Sequence, residues 1–393
     1  MSAATGRGHR ARGASAFANV LALNCGSSSL KYALFHDEHL LLRGDVEVGA
    51  GAVADHAGAV HAALEELDRR GAPPPAAVGH RLVHGGPDHD QPERVTAALL
   101  ASLASVVPFA PLHLPAELSA IDAVRARLGE LPQVVCFDTA FHRTMPERAQ
   151  RFALPGYLFD AGIRRYGFHG LSYEYVVETL GAGALRRAVV AHLGSGASMT
   201  ALRDGRSVDT TMGFTPTGGL VMGTRSGDLD PGLLVHLLAH RGYDACDLER
   251  MVNHEAGLLA LSGTTADMER LLVLRSTDPR AALAVEVFCD HARKSIGAYA
   301  AVVGGLDALV FTGGIGAHAP AVRAEICRGL EHLGVTLDDA RNAASERLVS
   351  VDGGPCVVHV VATDEERMIA RHARRLLARP RRGVGERAAR PAD

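Results

Sequence analysis

Apolar patterning begins with two short runs, residues 20–24 and 30–35, on either side of Cys25-Gly26-Ser27-Ser28-Ser29. Two β-type runs around a glycine/serine cluster predict a hairpin. A helical period follows over 60–70 and is closed by Pro73-Pro74-Pro75. A brief strand at 76–78 leads into His80-Arg81-Leu82-Val83-His84-Gly85-Gly86, which reads as a loop. Residues 117–128 carry a helical period, and 133–137 form a strand that opens onto Asp138. Near 164–169 the pattern starts again. An apolar strand at 187–193 meets Gly194-Ser195-Gly196, a second strand runs over 198–202, and Asp204-Gly205 makes the turn after it. Strand, Gly/Ser turn, strand thus occurs twice, which predicts an internally duplicated architecture. A long helix at 280–304 then feeds a strand at 308–311 and the loop Thr312-Gly313-Gly314-Ile315-Gly316. A last strand at 356–361 precedes Asp364-Glu365-Glu366 and a helix to about residue 378. Alternating strands and helices define an α/β fold, whose ligands sit at the C-terminal ends of strands.

Composition narrows the picture. At 393 residues the chain exceeds one comfortable core, so two α/β domains are expected. A net charge of −3 provides no basic field for nucleic acid or an anionic membrane. No apolar stretch approaches the roughly 20 residues that cross a bilayer. Residues 1–17 are rich in Arg, Gly and Ala and lack the apolar core of a secretory signal, so they read as a disordered leader. The Arg-rich residues 380–393 read as a disordered tail. Six cysteines without CxxC or metal-site spacing read as buried thiols in a reducing compartment, the cytoplasm. Lysine is almost absent: of 41 basic residues only Lys31 and Lys294 are lysines, and Lys31 stands beside the first Ser-rich turn.

Three Gly/Ser-rich turns follow strands, at 24–29, 194–198 and 313–316. Glycine lets the backbone approach a phosphate, and amides and hydroxyls supply donors. The sequence contains no Gly-Lys pair, so no Walker A loop, and none of the turns has GxGxxG spacing. Arg81 and Arg225 lie among glycine and apolar residues rather than in charge runs, where a guanidinium can fork onto a carboxylate or phosphate. Of 20 histidines, His80, His84, His113, His142, His169 and His192 occur beside glycine, proline or strand ends; no HExxH or Cys/His pairing suggests zinc. Asp138 and Glu365 stand at strand ends. Each can serve Mg²⁺ or a proton, and each has a plain alternative: Asp138 as a helix cap, Glu365 as a first-turn glutamate favoured by the helix dipole.

Taken together, these segments resemble the acetate kinase family, within the acetate and sugar kinase/heat-shock 70/actin superfamily. The resemblance runs over roughly 20–378 and is carried by six ordered motifs: Asn24-Cys25-Gly26-Ser27-Ser28-Ser29-Leu30-Lys31, Gly79-His80-Arg81-Leu82-Val83-His84-Gly85-Gly86, Phe137-Asp138-Thr139-Ala140-Phe141-His142, Arg165-Tyr166-Gly167-Phe168-His169-Gly170, Met212-Gly213-Phe214-Thr215-Pro216, and the stretch 222–231 around Arg225. The resemblance implies a duplicated actin-like (ribonuclease H-like) fold of two domains, 18–164 with 365–379 and 165–364, with the active site in the cleft between them. It implies that Asn24 and Glu365 organise Mg²⁺ (Mn²⁺ as a substitute) and that Lys31 lies near the nucleotide phosphates. Arg81 would hold the acid's carboxylate, and Val83, Leu112, Phe168 and Pro216 would line the pocket for its methyl group. Asp138, His169 and Arg225 would be catalytic. ATP or ADP would meet His192, Leu193, Gly194, Ser195 and Gly196, then Asp267, Met268 and Glu269, and finally Gly314, Ile315, Gly316, Ala317 and His318. A homodimer is also implied.

The sequence departs from the family pattern mainly on the nucleotide side. Gly194-Ser195-Gly196 replaces Gly-Asn-Gly, Gly316-Ala317-His318 replaces Gly-Glu-Asn, and Asp267-Met268-Glu269 replaces Asp-x-Arg, with Arg270 one place late. Leu114 and Leu171 stand where Asn and Thr are usual. The expectation is therefore phosphoryl transfer between ATP and acetate. Propionate or another phosphoryl donor, and a nucleotide-binding regulator without turnover, remain as alternatives.

Overall fold

A computed structural model describes residues 18–26, 29–49 and 53–378. The expected leader and tail, and Ser27 and Ser28 of the first Gly/Ser turn, lie outside the described residues. Among the described residues eleven strands fall into two sheets: β1 Asn19–Cys25, β2 Ser29–His36, β3 His39–Glu47, β4 Ala77–Leu82, β5 Glu93–Arg94 and β6 Gln133–Phe137 in one, and β7 Arg187–Leu193, β8 Ala197–Arg203, β9 Arg206–Thr210, β10 Ala308–Thr312 and β11 Val357–Val360 in the other.

The first sheet has the order β3-β2-β1-β4-β6-β5 and the second β11-β10-β7-β8-β9. In each, an antiparallel meander (β1-β2-β3, β7-β8-β9) is extended by parallel strands (β4 and β6; β10 and β11). The two hairpins expected from the sequence are β1-β2, in register from Asn19↔His36 to Cys25↔Leu30, and β7-β8, from Arg187↔Arg203 to Leu193↔Ala197. The third strands β3 and β9 escaped the pattern because β3 has no buried residue and β9 is only five residues long, so neither shows a full apolar face.

Two further expectations are corrected. Arg81 is on strand β4, not in a loop: β4 continues to Leu82, between β1 and β6, with Arg81 opposite Cys136. Its polar appearance misled because His80 is buried in the sheet, its Nε2 2.7 Å from Gln133 Oε1. Residues after Thr312 form not a loop but the short helix Gly313–His318.

The helix Glu365–Leu377 returns to the first sheet, where Met368, Ile369, Ala370 and Ala373 pack on Val20, Ala22, Phe35 and Val134. It sits so close that a side chain on Gly79 would collide with Ile369. The largest apolar cluster passes from Leu82, Val83 and Phe137 through Phe168 to Met212, Met222 and the second sheet, so one core locks the two halves' facing ends.

Candidate active site

The ends of β1, β4, β7 and β10, with the start of the Glu365–Leu377 helix, frame a cleft of about 850 Å³ between the sheets. Asn24, Lys31, Arg81, His169, His192, Gly194, Ser195, Gly196, Gly314, Ala317, His318 and Glu365 all line it. Residues up to 341 positions apart in sequence thus meet, as strand C-terminal ends in an open α/β sheet are expected to do.

Arg81 anchors one wall. Its Nε and Nη2 donate to Asp138 Oδ2 at 3.0 and 2.5 Å, and its Nη1 donates to the Cys25 carbonyl at 2.9 Å. Three of the five guanidinium N–H groups are thereby used, and two have no hydrogen-bond acceptor among the described residues. Asp138 is fully buried and its Oδ1 has no partner among the described residues. It is not a helix cap: it occupies the first turn of the helix Asp138–Thr144, after Phe137. Burial raises its pKa despite the pull of Arg81.

His169 forms the opposite wall. It adopts a left-handed backbone (φ 59°) at the start of the helix Gly170–Leu180, a conformation that is strained for a residue other than glycine. The helix is pressed against Asp138, since a side chain on Gly170 would meet the Asp138 carbonyl. The His169 ring stacks on His192 with 4.2 Å between centroids, and its Nδ1 lies 2.8 Å from Ser198 Oγ. Burial, reinforced by His192, Arg81 and Arg225, pushes its pKa well below the usual imidazole range. A Cβ placed on Gly196 would lie 3.4 Å from His169 Nε2 and 3.7 Å from Arg225 Nη1, so these two groups flank the Gly194–Gly196 turn together. Arg225 donates to the Pro216 carbonyl at 3.1 Å and has no carboxylate partner among the described residues.

At the corner where the end of β1 meets the helix Glu365–Leu377, Asn24 Nδ2 donates to Glu365 Oε2 at 2.9 Å and to Glu366 Oε1 at 3.0 Å, while Ser172 Oγ donates to Glu365 Oε1 at 2.5 Å. Burial would raise the Glu365 pKa, but Arg81, His192 and these donors outweigh it and hold the carboxylate ionised; burial raises Glu366. Glu365 is also the first residue of its helix, so both sequence readings of it apply. Among the described residues no cluster of three or more His, Cys, Asp or Glu could cage a metal. An open corner with one ionised carboxylate and an amide oxygen fits Mg²⁺, which keeps several waters and shares substrate phosphates.

Other expected residues lie outside the cleft lining. Leu193 and Met268 are buried in the core, Ile315 packs against it, and Gly316 is buried with its carbonyl accepting from Arg323. Asp267 caps the helix Met268–Leu274 by accepting from the Glu269 amide, and both side chains face solvent. Val83 and Phe168 are buried, Pro216 is half-buried beside Arg225, and Leu112 is exposed.

Two further residues feel these arginines: His113, one of the histidines singled out by its sequence context, and Glu117, which the sequence left without a role. Burial, and then the charges of Arg225 and Arg81, push the His113 pKa down to about 3. Glu117 is 2% exposed, accepts the Val83 amide through both oxygens (3.1 and 2.9 Å) and lies 3.6 Å from Arg81 Nη1. In sequence it is an ordinary first-turn helix glutamate; only its burial distinguishes it.

Burial pushes Glu117 from 4.5 up to about 7, against the pull of Arg81 and the Val83 amide. A carboxyl raised on folding contributes stability that is fully present below pH 4.5 and lost as pH rises through 7. Glu117→Gln, which keeps the Val83 acceptor without charge, is therefore expected to be more stable than wild type at pH 8, by on the order of 3 kcal/mol. The advantage should vanish near pH 4.5. Urea unfolding at the two pH values checks this, and an equal difference at both would contradict it.

Two sheets of matching topology around a cation-lined cleft define a duplicated actin-like α/β protein. The sequence profile of the Acetokinase family matches residues 40–371. An acetate kinase from Nitrobacter hamburgensis is 42% identical, over 91% of this chain and 96% of its own length. The crystal structure of Porphyromonas gingivalis acetate kinase superposes with a TM-score of 0.83 at 37% identity, covering 92% of this chain and all of that one. A propionate kinase from Francisella tularensis gives 0.81 at 35% identity over 90% and 98% of the two chains. The chain belongs to the acetokinase family.

Proposed function

We propose that the protein catalyses reversible, Mg²⁺-dependent phosphoryl transfer between ATP and acetate, giving acetyl phosphate and ADP. The observation that carries this reading is Arg225, a half-buried guanidinium with no carboxylate partner among the described residues, which flanks the Gly194–Gly196 turn together with His169. Such a set suits an anion whose charge spreads during transfer between two oxygens.

In this mechanism Arg81, held by Asp138 and the Cys25 carbonyl, takes the acid's carboxylate with its free N–H groups. Acetate already presents a nucleophilic oxygen, so the protein's task is alignment and charge compensation. His169 and Arg225 donate to the phosphoryl oxygens beside Gly196, and Val83, Phe168, Pro216 and Leu112 bound the methyl pocket. Gly194–Gly196 and the Gly313–His318 helix receive the nucleotide, with Lys31 near its phosphates. Asn24 and Glu365 would hold Mg²⁺, which would supply Lewis-acid neutralisation of phosphate charge.

The assigned domains are 18–164 with 365–379, and 165–364; every strand of the first sheet falls in the former and every strand of the second in the latter. Among the described residues no helix is long and apolar enough to cross a membrane, in keeping with a cytoplasmic enzyme. A homodimer is supported by the helix Pro231–His240, which has no buried residue and presents Leu233, Val235 and Leu238 to solvent, with Val235 64% exposed. So apolar a face requires cover, and a second copy is the proposed occupant. Val235→Asp is expected to halve the mass measured by light scattering; an unchanged mass would remove this face from the interface.

The activity is tested by trapping acyl phosphate with hydroxylamine. Ser195, Ala317 and His318, which depart from the family pattern, line the cleft, so ATP, GTP and pyrophosphate should each be paired with acetate and propionate. Acetyl phosphate from ATP is expected; no product from any pair would overturn the enzyme reading.

A further inference from the structure

Behind His169 lies a buried pair of hydroxyls that the phosphoryl-transfer scheme does not use. Ser198, on β8, is fully buried and stands across the β7–β8 ladder from His192. Its Oγ is 2.8 Å from His169 Nδ1 and is also hydrogen-bonded to the Tyr173 hydroxyl. Tyr173 is fully buried too and lies one helical turn beyond His169, its amide donating to the His169 carbonyl at 3.1 Å. The helix therefore clasps Ser198 between two of its own side chains, while His192 stacks on the imidazole from the neighbouring strand.

Counting protons gives this chain a direction. Each hydroxyl carries one proton, and the Tyr173 hydroxyl has no other partner among the described residues. Were Ser198 to donate to Tyr173, the phenolic proton would be buried without an acceptor, which costs roughly 1–3 kcal/mol. The phenol must then donate to Ser198 Oγ, and the serine proton is left for His169 Nδ1. A neutral imidazole that accepts at Nδ1 carries its own hydrogen on Nε2, the atom beside Gly196 and Arg225.

We propose that Tyr173 and Ser198 are positioning residues that fix His169 as a neutral Nε2–H donor facing the cleft. His169 then acts on the transferred group by hydrogen-bond donation and not as a base, next to the permanent charge of Arg225. The depressed basicity of His169 agrees, since the ring is kept uncharged by burial and its cationic surroundings. The catalytic consequence rests on the phosphoryl-transfer reading; the tautomer does not.

The test uses the full chain labelled with ¹⁵N-histidine, observed by two-bond ¹H–¹⁵N correlation without substrate. His169→Gln assigns the His169 signals among those of the 20 histidines. Wild type is expected to show Nε2–H, Ser198→Ala a mixture of both tautomers, and Ser198→Thr a return to Nε2–H. In turnover, Ser198→Ala should lower kcat about tenfold, the effect of one hydrogen bond, with KM for acetate within about twofold. Ser198→Thr should restore kcat, and Tyr173→Phe should fall between them. An Nδ1–H tautomer or an imidazolium in wild type would overturn the relay. So would a Ser198→Ala variant with an unshifted tautomer. If no acid yields acyl phosphate, the function fails while the spectra still decide the relay.

Discussion

Arg225→Ala is expected to lower kcat by roughly a hundredfold or more, the range for removing one preorganised transition-state donor. The guanidinium has little competing employment in the fold. Arg225 has a single good acceptor, the Pro216 carbonyl, no carboxylate partner among the described residues, and a pKa lowered by burial and then by Arg81. A cation so placed gives the fold little, so its removal should leave the melting temperature unchanged or slightly higher. Arg225→Lys keeps the charge but loses the planar fork and should recover only part of the rate. A purified Arg225→Ala enzyme with wild-type turnover would remove the assignment, and a large drop in melting temperature would show that the residue serves the fold instead.

Arg81→Met should do damage of a different kind, to stability and to acid binding at once. It strips the partner from Asp138, fully buried with one oxygen already orphaned, and from Glu117 at 2% exposure. Breaking a buried pair by removing one member costs about 3–5 kcal/mol. KM for acetate should rise by about a hundredfold, the worth of a charge-assisted contact to the carboxylate. Without the guanidinium both carboxyls are held protonated more strongly in the folded state, so the lost stability should return as pH falls towards 5. Adding Asp138→Asn should restore much of the stability at pH 8 without restoring activity. Calorimetry at two pH values and a double-mutant cycle read both effects; a KM for acetate unchanged in Arg81→Met would sink the carboxylate assignment.

What the sequence revealed, and what it hid, follows from the range of the forces involved. Both hairpins and the repeat they mark were legible because β1, β2, β7 and β8 are largely buried and read as apolar runs. Strand β3 was invisible because it lies at the sheet edge with no fully buried residue, only Leu42 and Val46 packing on the core, so it shows no continuous apolar run. Arg81, His169 and Arg225 could be picked out by their glycine-rich settings, but not their convergence, which depends on contacts between distant segments. The Asn24–Glu365 hydrogen bond spans 341 positions. Glu117 was overlooked for the same reason: a glutamate in a helix's first turn carries no local mark of burial against Arg81. On the nucleotide side, Asp267 and Met268 are occupied by a helix cap and by the core, so a motif match there does not by itself make a contact with the cleft.

The returning helix Glu365–Leu377 gives this architecture an order of assembly. On the ribosome the strands of the first sheet emerge early, yet one of their faces stays uncovered until the last described helix has been made. Glu365, the cleft-lining carboxylate that Asn24 holds, arrives on that same segment. The first half to be synthesised is thus the last to be finished, and a chain cut short after residue 364 would lose both the lid of its opening sheet and part of the cleft wall.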